Sequence, residues 1–163
     1  MSLRDLCTMQ VGNTYEWFAR STRSLAEEDG TYAPDSEGFT AAQQVVHVAQ
    51  TIEWFIEGAF RPEGFDMDFA AHENTVRKVT SLAAARAWLE RSVAAAKEAI
   101  TAHDDAAWSA PLPEGPVMGG LPRHTIFGAI ADHTAHHRGA LTVYTRLRGK
   151  VPPMPYMEVE TGA

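Results

Sequence analysis

Three of the chain's seven histidines crowd one short segment, at His133, His136 and His137. An imidazole can carry a proton near neutral pH or bind a divalent metal through either ring nitrogen. Which of these the segment suits depends on where the rings point. At about 100° per helical residue, His137 lies about 40° from His133, on the face that also carries Ile126, Ile130, Leu141 and Tyr144. His136 falls on the flank of that face and His124 points away from it. Helical residues four apart have Cβ atoms about 5–6 Å apart, so two imidazoles can reach one ion at roughly 2.0–2.1 Å. With seven histidines available, a four-residue pair by chance is unsurprising. The inward orientation is the stronger point, because two imidazoles turned into a core without partners would each cost on the order of a few kcal/mol. Carboxylates, water or a metal would remove that cost.

A third ligand must come from another helix, and pattern alone leaves the choice open. His47 is the histidine in the middle of a helical segment, yet it lies about 130–140° from the centre of the apolar arc of Val45, Val48, Ile52, Phe55, Ile56 and Ala59. His103 shares the stripe of Ile100 and is the reserve candidate, although a cation at a helix C-terminus explains it as well. His72 reads as a solvated loop residue. The four tryptophans read as packing residues, and Cys7 as a small core residue with no basic neighbour to activate it. Glu53, Glu57 and Asp132 read as solvated helix residues, so no carboxylate is marked as a general base.

The elements that must position these residues are helices. The first runs from about Leu3 to Glu28, with Cys7, Val11, Phe18, Thr22 and Leu25 on one face, and is ended by Gly30 and Pro34. The second opens with the capping box Thr40-Ala-Ala-Gln43 and continues to about Phe60, where Arg61-Pro62-Glu63-Gly64 stops it. Ser81 caps a third helix to about His103, striped by Leu82, Ala85, Leu89, Val93, Ala96 and Ile100. The fourth starts near Pro122 and runs to about Arg148, before Gly149 and Pro152-Pro153. Only Val76 to Val79 and Val117-Met118 read as short extended pieces. Four long helices with one apolar stripe each can bury those stripes only against one another, which predicts an all-α four-helix bundle.

A chain of 163 residues suits one domain, 1–163. No apolar run approaches the roughly 18 residues a membrane span requires. The opening Met-Ser-Leu-Arg-Asp-Leu lacks the features of an export signal, so cytoplasmic residence is expected, and one cysteine agrees with a reducing compartment. Lys and Arg number 14 against 21 Asp and Glu, a net charge of −7. With the basic residues scattered singly, nucleic acid is excluded as an expected partner.

The run His133-Thr-Ala-His-His137-Arg138-Gly139, followed by Leu141, Tyr144, Leu147, Gly149 and Pro152-Pro153, resembles the DinB/YfiT-like family of metalloenzymes. That family pairs such a histidine motif in its last long helix with a further histidine midway along the second. His133 and His137 fit the pair and His47 the lone position. Ala140 departs from the family, which often carries glutamine there. Gly139 inside a helix costs about 1 kcal/mol relative to alanine, which leads one to expect a close neighbouring backbone.

The resemblance implies a four-helix bundle, commonly a homodimer, holding zinc or nickel on three histidines with one coordination position open. It further implies a small-molecule substrate and, in some relatives, a small cellular thiol such as mycothiol or bacillithiol transferred to an electrophile. Three neutral imidazoles leave a divalent ion its full charge and one free position, as in catalytic zinc sites. The expectation is therefore a thiol S-transferase-like enzyme. A metal-dependent hydrolase and a non-catalytic, stress-associated metal- or ligand-binding dimer are the alternatives. Arg138 points off the site face and is expected to pair with an acidic residue or line a subunit contact.

Overall fold

The computed structural model describes residues 1–157. Among them are six α-helices and no strand: α1 Leu3–Thr22, α2 Ala41–Phe60, α3 Phe69–Arg77, α4 Leu82–Ala102, α5 Asp105–Ser109 and α6 Ile126–Leu147. Extended pairing is limited to an isolated bridge between Pro111 and Pro122. The four long helices close a ring in which α1 and α2 each pack on both α4 and α6. Helices α1 and α2, consecutive among the long ones, therefore sit across the bundle from each other, and the chain must cross its end between Thr22 and Ala41.

The caps explain why the helices begin where they do. At α2 the Gln43 amide donates to Thr40 Oγ1 at 3.3 Å while Gln43 Oε1 accepts from the Thr40 amide at 3.0 Å. Ser2, Asp68, Ser81 and Asp104 each accept from an amide in the first turn of α1, α3, α4 and α5. Each such bond satisfies one of the orphan donors of a helix start. The buried centre joins Val11, Phe18, Val45, Val48, Ile52, Leu89, Val93, Ile100, Phe127, Ile130 and Leu141 into one cluster.

The first helix is shorter than its pattern predicts. It ends at Thr22, and Glu27–Asp29 form a separate 3-10 turn. The residue that prolonged the stripe, Leu25, is buried, but in the turn between them. Arg86 on α4 donates to the carbonyls of both Thr22 and Leu25, at 2.9 Å each, so those carbonyls are satisfied without further helix.

Two helices lie where the sequence reads as loop. Helix α3 is capped by Asp68 and contains Val76, a residue expected to be extended; Val76 is buried and Gln43 Nε2 bonds the Arg77 carbonyl at 3.0 Å. Helix α5 brings Trp108 into the core, where its indole N–H donates to the Ile100 carbonyl at 3.3 Å. Met118 sits in a turn with φ 51°, not in an extended piece. The last helix begins at Ile126, after a 3-10 turn over Arg123–Thr125 that follows Pro122.

Candidate metal centre

Two helices supply the site. Helix α2 contributes His47 and Gln44, and α6 contributes His133, His137 and Tyr144. The Nε2 atoms of His133 and His47 stand 3.3 Å apart, and those of His137 and His133 stand 3.1 Å apart. One ligand atom from each of the three rings lies within 4.8 Å of the others, and the group could hold a metal ion. Two nitrogens bound about 2.05 Å from one tetrahedral ion stand about 3.3–3.4 Å apart, close to the spacing seen.

His47 joins this cluster although the apolar arc of α2 points elsewhere. The reason is that α2 packs against two neighbours. On the α4 side Glu53 accepts from Trp88 Nε1 at 2.8 Å and from Ser92 Oγ at 2.6 Å. On the α6 side Gln44 and His47 meet Tyr144, His137 and His133. A helix flank that looks polar in sequence thus becomes a second buried contact. Glu53 is correspondingly not a solvated residue but a structural acceptor between α2 and α4, whereas Glu57 and Asp132 are exposed as expected.

A relay of hydrogen bonds fixes which nitrogen of His137 is free. Tyr144 donates its single hydroxyl proton to the Phe39 carbonyl at 2.9 Å and therefore accepts from Gln44 Nε2 at 3.2 Å. That orients the Gln44 amide with Oε1 toward His137 Nδ1, with which it is in hydrogen-bond contact. Nδ1 must then carry the proton, leaving the Nε2 lone pair aimed at the other two rings. Burial, reinforced by the neighbouring imidazoles, pushes the His133 pKa down to about 4 and that of His137 to about 3. Burial also lowers the pKa of His47, with Glu73 opposing and His136 adding to the shift. Near neutral pH the rings are uncharged, which is the ligating form. One N–H can be aimed along only one of the close contacts, whereas one cation at the centre would satisfy all three lone pairs. The donor set therefore fits a divalent ion.

The cluster opens on one side. His47 and His133 line a pocket of about 220 Å³ together with Gln50, Thr51, Trp54, Phe55, Phe69 and His72. Trp54 is anchored by its indole N–H to the Asp66 carbonyl at 2.6 Å, and its ring packs on Phe65 at 4.7 Å between centroids. Phe65 in turn occupies the space over Gly58, where an added Cβ would stand 2.2 Å from Phe65 Cδ1.

The other histidines divide as follows. His136 is exposed. His124 lines a separate groove beside Leu3 and Cys7. His103 is not brought to the cluster: it stacks on Phe60 at 3.9 Å, and its Nδ1 bonds the Ala99 carbonyl at 2.9 Å. His72 departs from its expected place in a solvated loop, because it belongs to α3 and faces the pocket. The sequence carried one signal for this, the Asp68 cap, which the nearby Gly and Pro residues obscured.

Arg138 lies over the Tyr156 ring at 5.6 Å and donates to its hydroxyl at 3.3 Å, so its partner here is aromatic rather than acidic. Among the described residues, apart from the helix's own neighbouring backbone, nothing lies within 4 Å of a Cβ placed at Gly139, contrary to the close backbone expected. Cys7 is buried, and burial pushes its thiol pKa up to about 11, which leaves it unreactive as a nucleophile.

The sequence matches the DinB family over residues 12–161. The chain belongs to the DinB family. Among solved structures it is similar to YfiT from Bacillus subtilis, described as a probable metal-dependent hydrolase with an unusual four-helix bundle topology. The two are 14% identical, with 90% of this chain and 88% of that one covered and a TM-score of 0.69, a likeness of fold. No curated protein matches the sequence. No helix among the described residues is long and apolar enough to cross a membrane.

Proposed function

We propose that this DinB-family chain is a divalent-metal-dependent enzyme in which His47, His133 and His137 hold the ion, and that it hydrolyses a small electrophilic molecule bound in the adjoining pocket. The observation that carries this reading is the convergence of three neutral imidazoles at the edge of a largely apolar cavity. Zinc is the ion expected, with nickel as runner-up. When bound, it would supply Lewis acidity and a lowered pKa for a coordinated ligand. The chain's own residues do the rest: Gln44 and Tyr144 orient His137, and Trp54, Phe55 and Phe69 exclude water around the substrate.

Hydrolysis suits the cavity because water is small. A pocket of about 220 Å³, open to solvent on one side, admits a small substrate together with the water that attacks it. YfiT, described as a probable metal-dependent hydrolase, points the same way. Transfer of a small cellular thiol is the second reading. It is favoured by the lack of a carboxylate among the pocket-lining residues, since a thiol held by a metal can ionise without a carboxylate base.

The test starts with elemental analysis of the purified protein, followed by loading metal-stripped protein with zinc or nickel. Turnover of p-nitrophenyl acetate is then compared with transfer of a small thiol to 1-chloro-2,4-dinitrobenzene. About one ion per chain and metal-dependent ester hydrolysis are expected, both lost in His133→Ala. Equal metal content and equal turnover in that variant would remove the proposed site.

A further inference from the structure

On the far wall of the same pocket, α3 presents an imidazole that the metal-binding reading does not use. His72 Nε2 is buried with no hydrogen-bond partner, although the ring as a whole keeps a side-chain exposure of 28%. On that side of the ring Asp66 Oδ2 stands 3.7 Å from Nε2, beyond hydrogen-bond reach. With Nε2 shut away on the Asp66 side, the ring nitrogen left for the cavity is Nδ1. The backbone around it is held, since Gln50 Nε2 donates to the His72 carbonyl at 3.2 Å and Trp54 Nε1 to the Asp66 carbonyl at 2.6 Å. Both anchors come from α2, the helix that also carries His47.

The remaining walls say what the cavity would accept. Trp54, Phe55 and Phe69 are aromatic, Gln50 and Thr51 are neutral, and among the described residues no lysine, arginine or carboxylate lines the space. A charged group held between these walls, away from the metal-binding histidines, would lose its hydration without gaining a counter-charge. An uncharged aromatic or apolar group would gain by its transfer out of water.

We propose that His72, backed by Asp66, is the proton-transfer residue of this site, and that its substrate is an uncharged ester or amide bearing an aromatic or apolar group. This rests on the hydrolytic reading above. In the step inferred, a water oxygen bonds to the carbonyl carbon as the water's proton passes to His72 Nδ1, while Nε2 stays on the Asp66 side. The bond from that carbon to the leaving oxygen or nitrogen then breaks, and His72 returns the proton to the departing group, so that acid and alcohol or amine leave and the imidazole is restored.

The experiment compares metal-loaded wild type, His72→Gln and Asp66→Asn in turnover of p-nitrophenyl acetate; p-nitroacetanilide and p-nitrobenzoate serve as binding probes followed by NMR on the metal-stripped forms, where a carboxylate has no ion to bind. Metal stoichiometry is measured on each sample. His72→Gln should keep about one ion per chain and a KM within about twofold, while kcat falls about 100-fold; Asp66→Asn should lower kcat by about tenfold. The neutral anilide should bind more tightly than the benzoate in all three. An unchanged kcat in His72→Gln, or tighter binding of the benzoate, overturns the proposal while leaving the metal site intact. Loss of metal from wild type, or no hydrolysis by it, overturns the hydrolytic reading and this proposal together.

Discussion

Two of the places where the bundle encloses ionisable groups behave in opposite ways: near Asp29, and around His47, His133 and His137. The Asp29 side chain is 1% exposed, yet its carboxylate receives Arg148 Nε at 2.9 Å, Lys150 Nζ and the Ala26 amide at 2.8 Å. Burial pushes the Asp29 pKa up, but those donors outweigh it and bring it down to about 2. Its ionised form is therefore complete within the protein. Around His137 the opposite holds: the outer nitrogen is satisfied by Gln44, while the inner nitrogens of three uncharged rings face one another. The first cluster closes its charge balance with the chain's own residues, and the second leaves a place for an added positive charge.

The largest effect expected from breaking this contrast is at the histidines. His133→Ala should take bound zinc from about one ion per chain to almost none by elemental analysis. Chelation should lower the melting temperature of wild type but leave that of the variant unmoved.

Asp29→Ala should do the reverse. It should cost about 2 kcal/mol in urea unfolding, less than a fully buried pair because Arg148 and Lys150 face solvent in part, and metal content should stay the same. The pH dependence sharpens this. Because the folded-state pKa lies below the ordinary value of 3.8, the Asp29 contribution is fully present above about pH 4. It fades as pH falls through about 2, amounting to about 2 kcal/mol in total. Wild type should therefore lose that increment between pH 4 and 2 and Asp29→Ala should not.

Smaller again is Gln44→Ala, which frees the His137 ring to change tautomer; zinc affinity measured by competition should fall by about tenfold. Tyr144→Phe removes one hydroxyl from the relay, and its stability cost should be about 1 kcal/mol with zinc affinity reduced less than in Gln44→Ala.

Most of the long helices were legible because their signals are local. The Thr40–Gln43 box, the Ser81 cap and the stripe from Leu82 to Ile100 need only the chain's own neighbours to be understood. The inward turn of His133 and His137 was likewise set by helical spacing. Helix α3 escaped because its nine residues bury only Val76, so almost no periodic signal marks it. The end of α1 escaped because Arg86, distant in sequence, satisfies the carbonyls that a longer helix would have used.

By itself, then, the sequence determined the helices that cap themselves and the pairing of two histidines on one face, since both follow from the roughly 3.6-residue turn of the chain. Resemblance to a family added His47. Only the tertiary structure decided that the polar flank of α2 would face α6, that Gln44 and Tyr144 would fix the His137 tautomer, and that α3 would bring His72 to the pocket. Those outcomes depend on which helix lies beside which, and no pattern within a single helix encodes its neighbour.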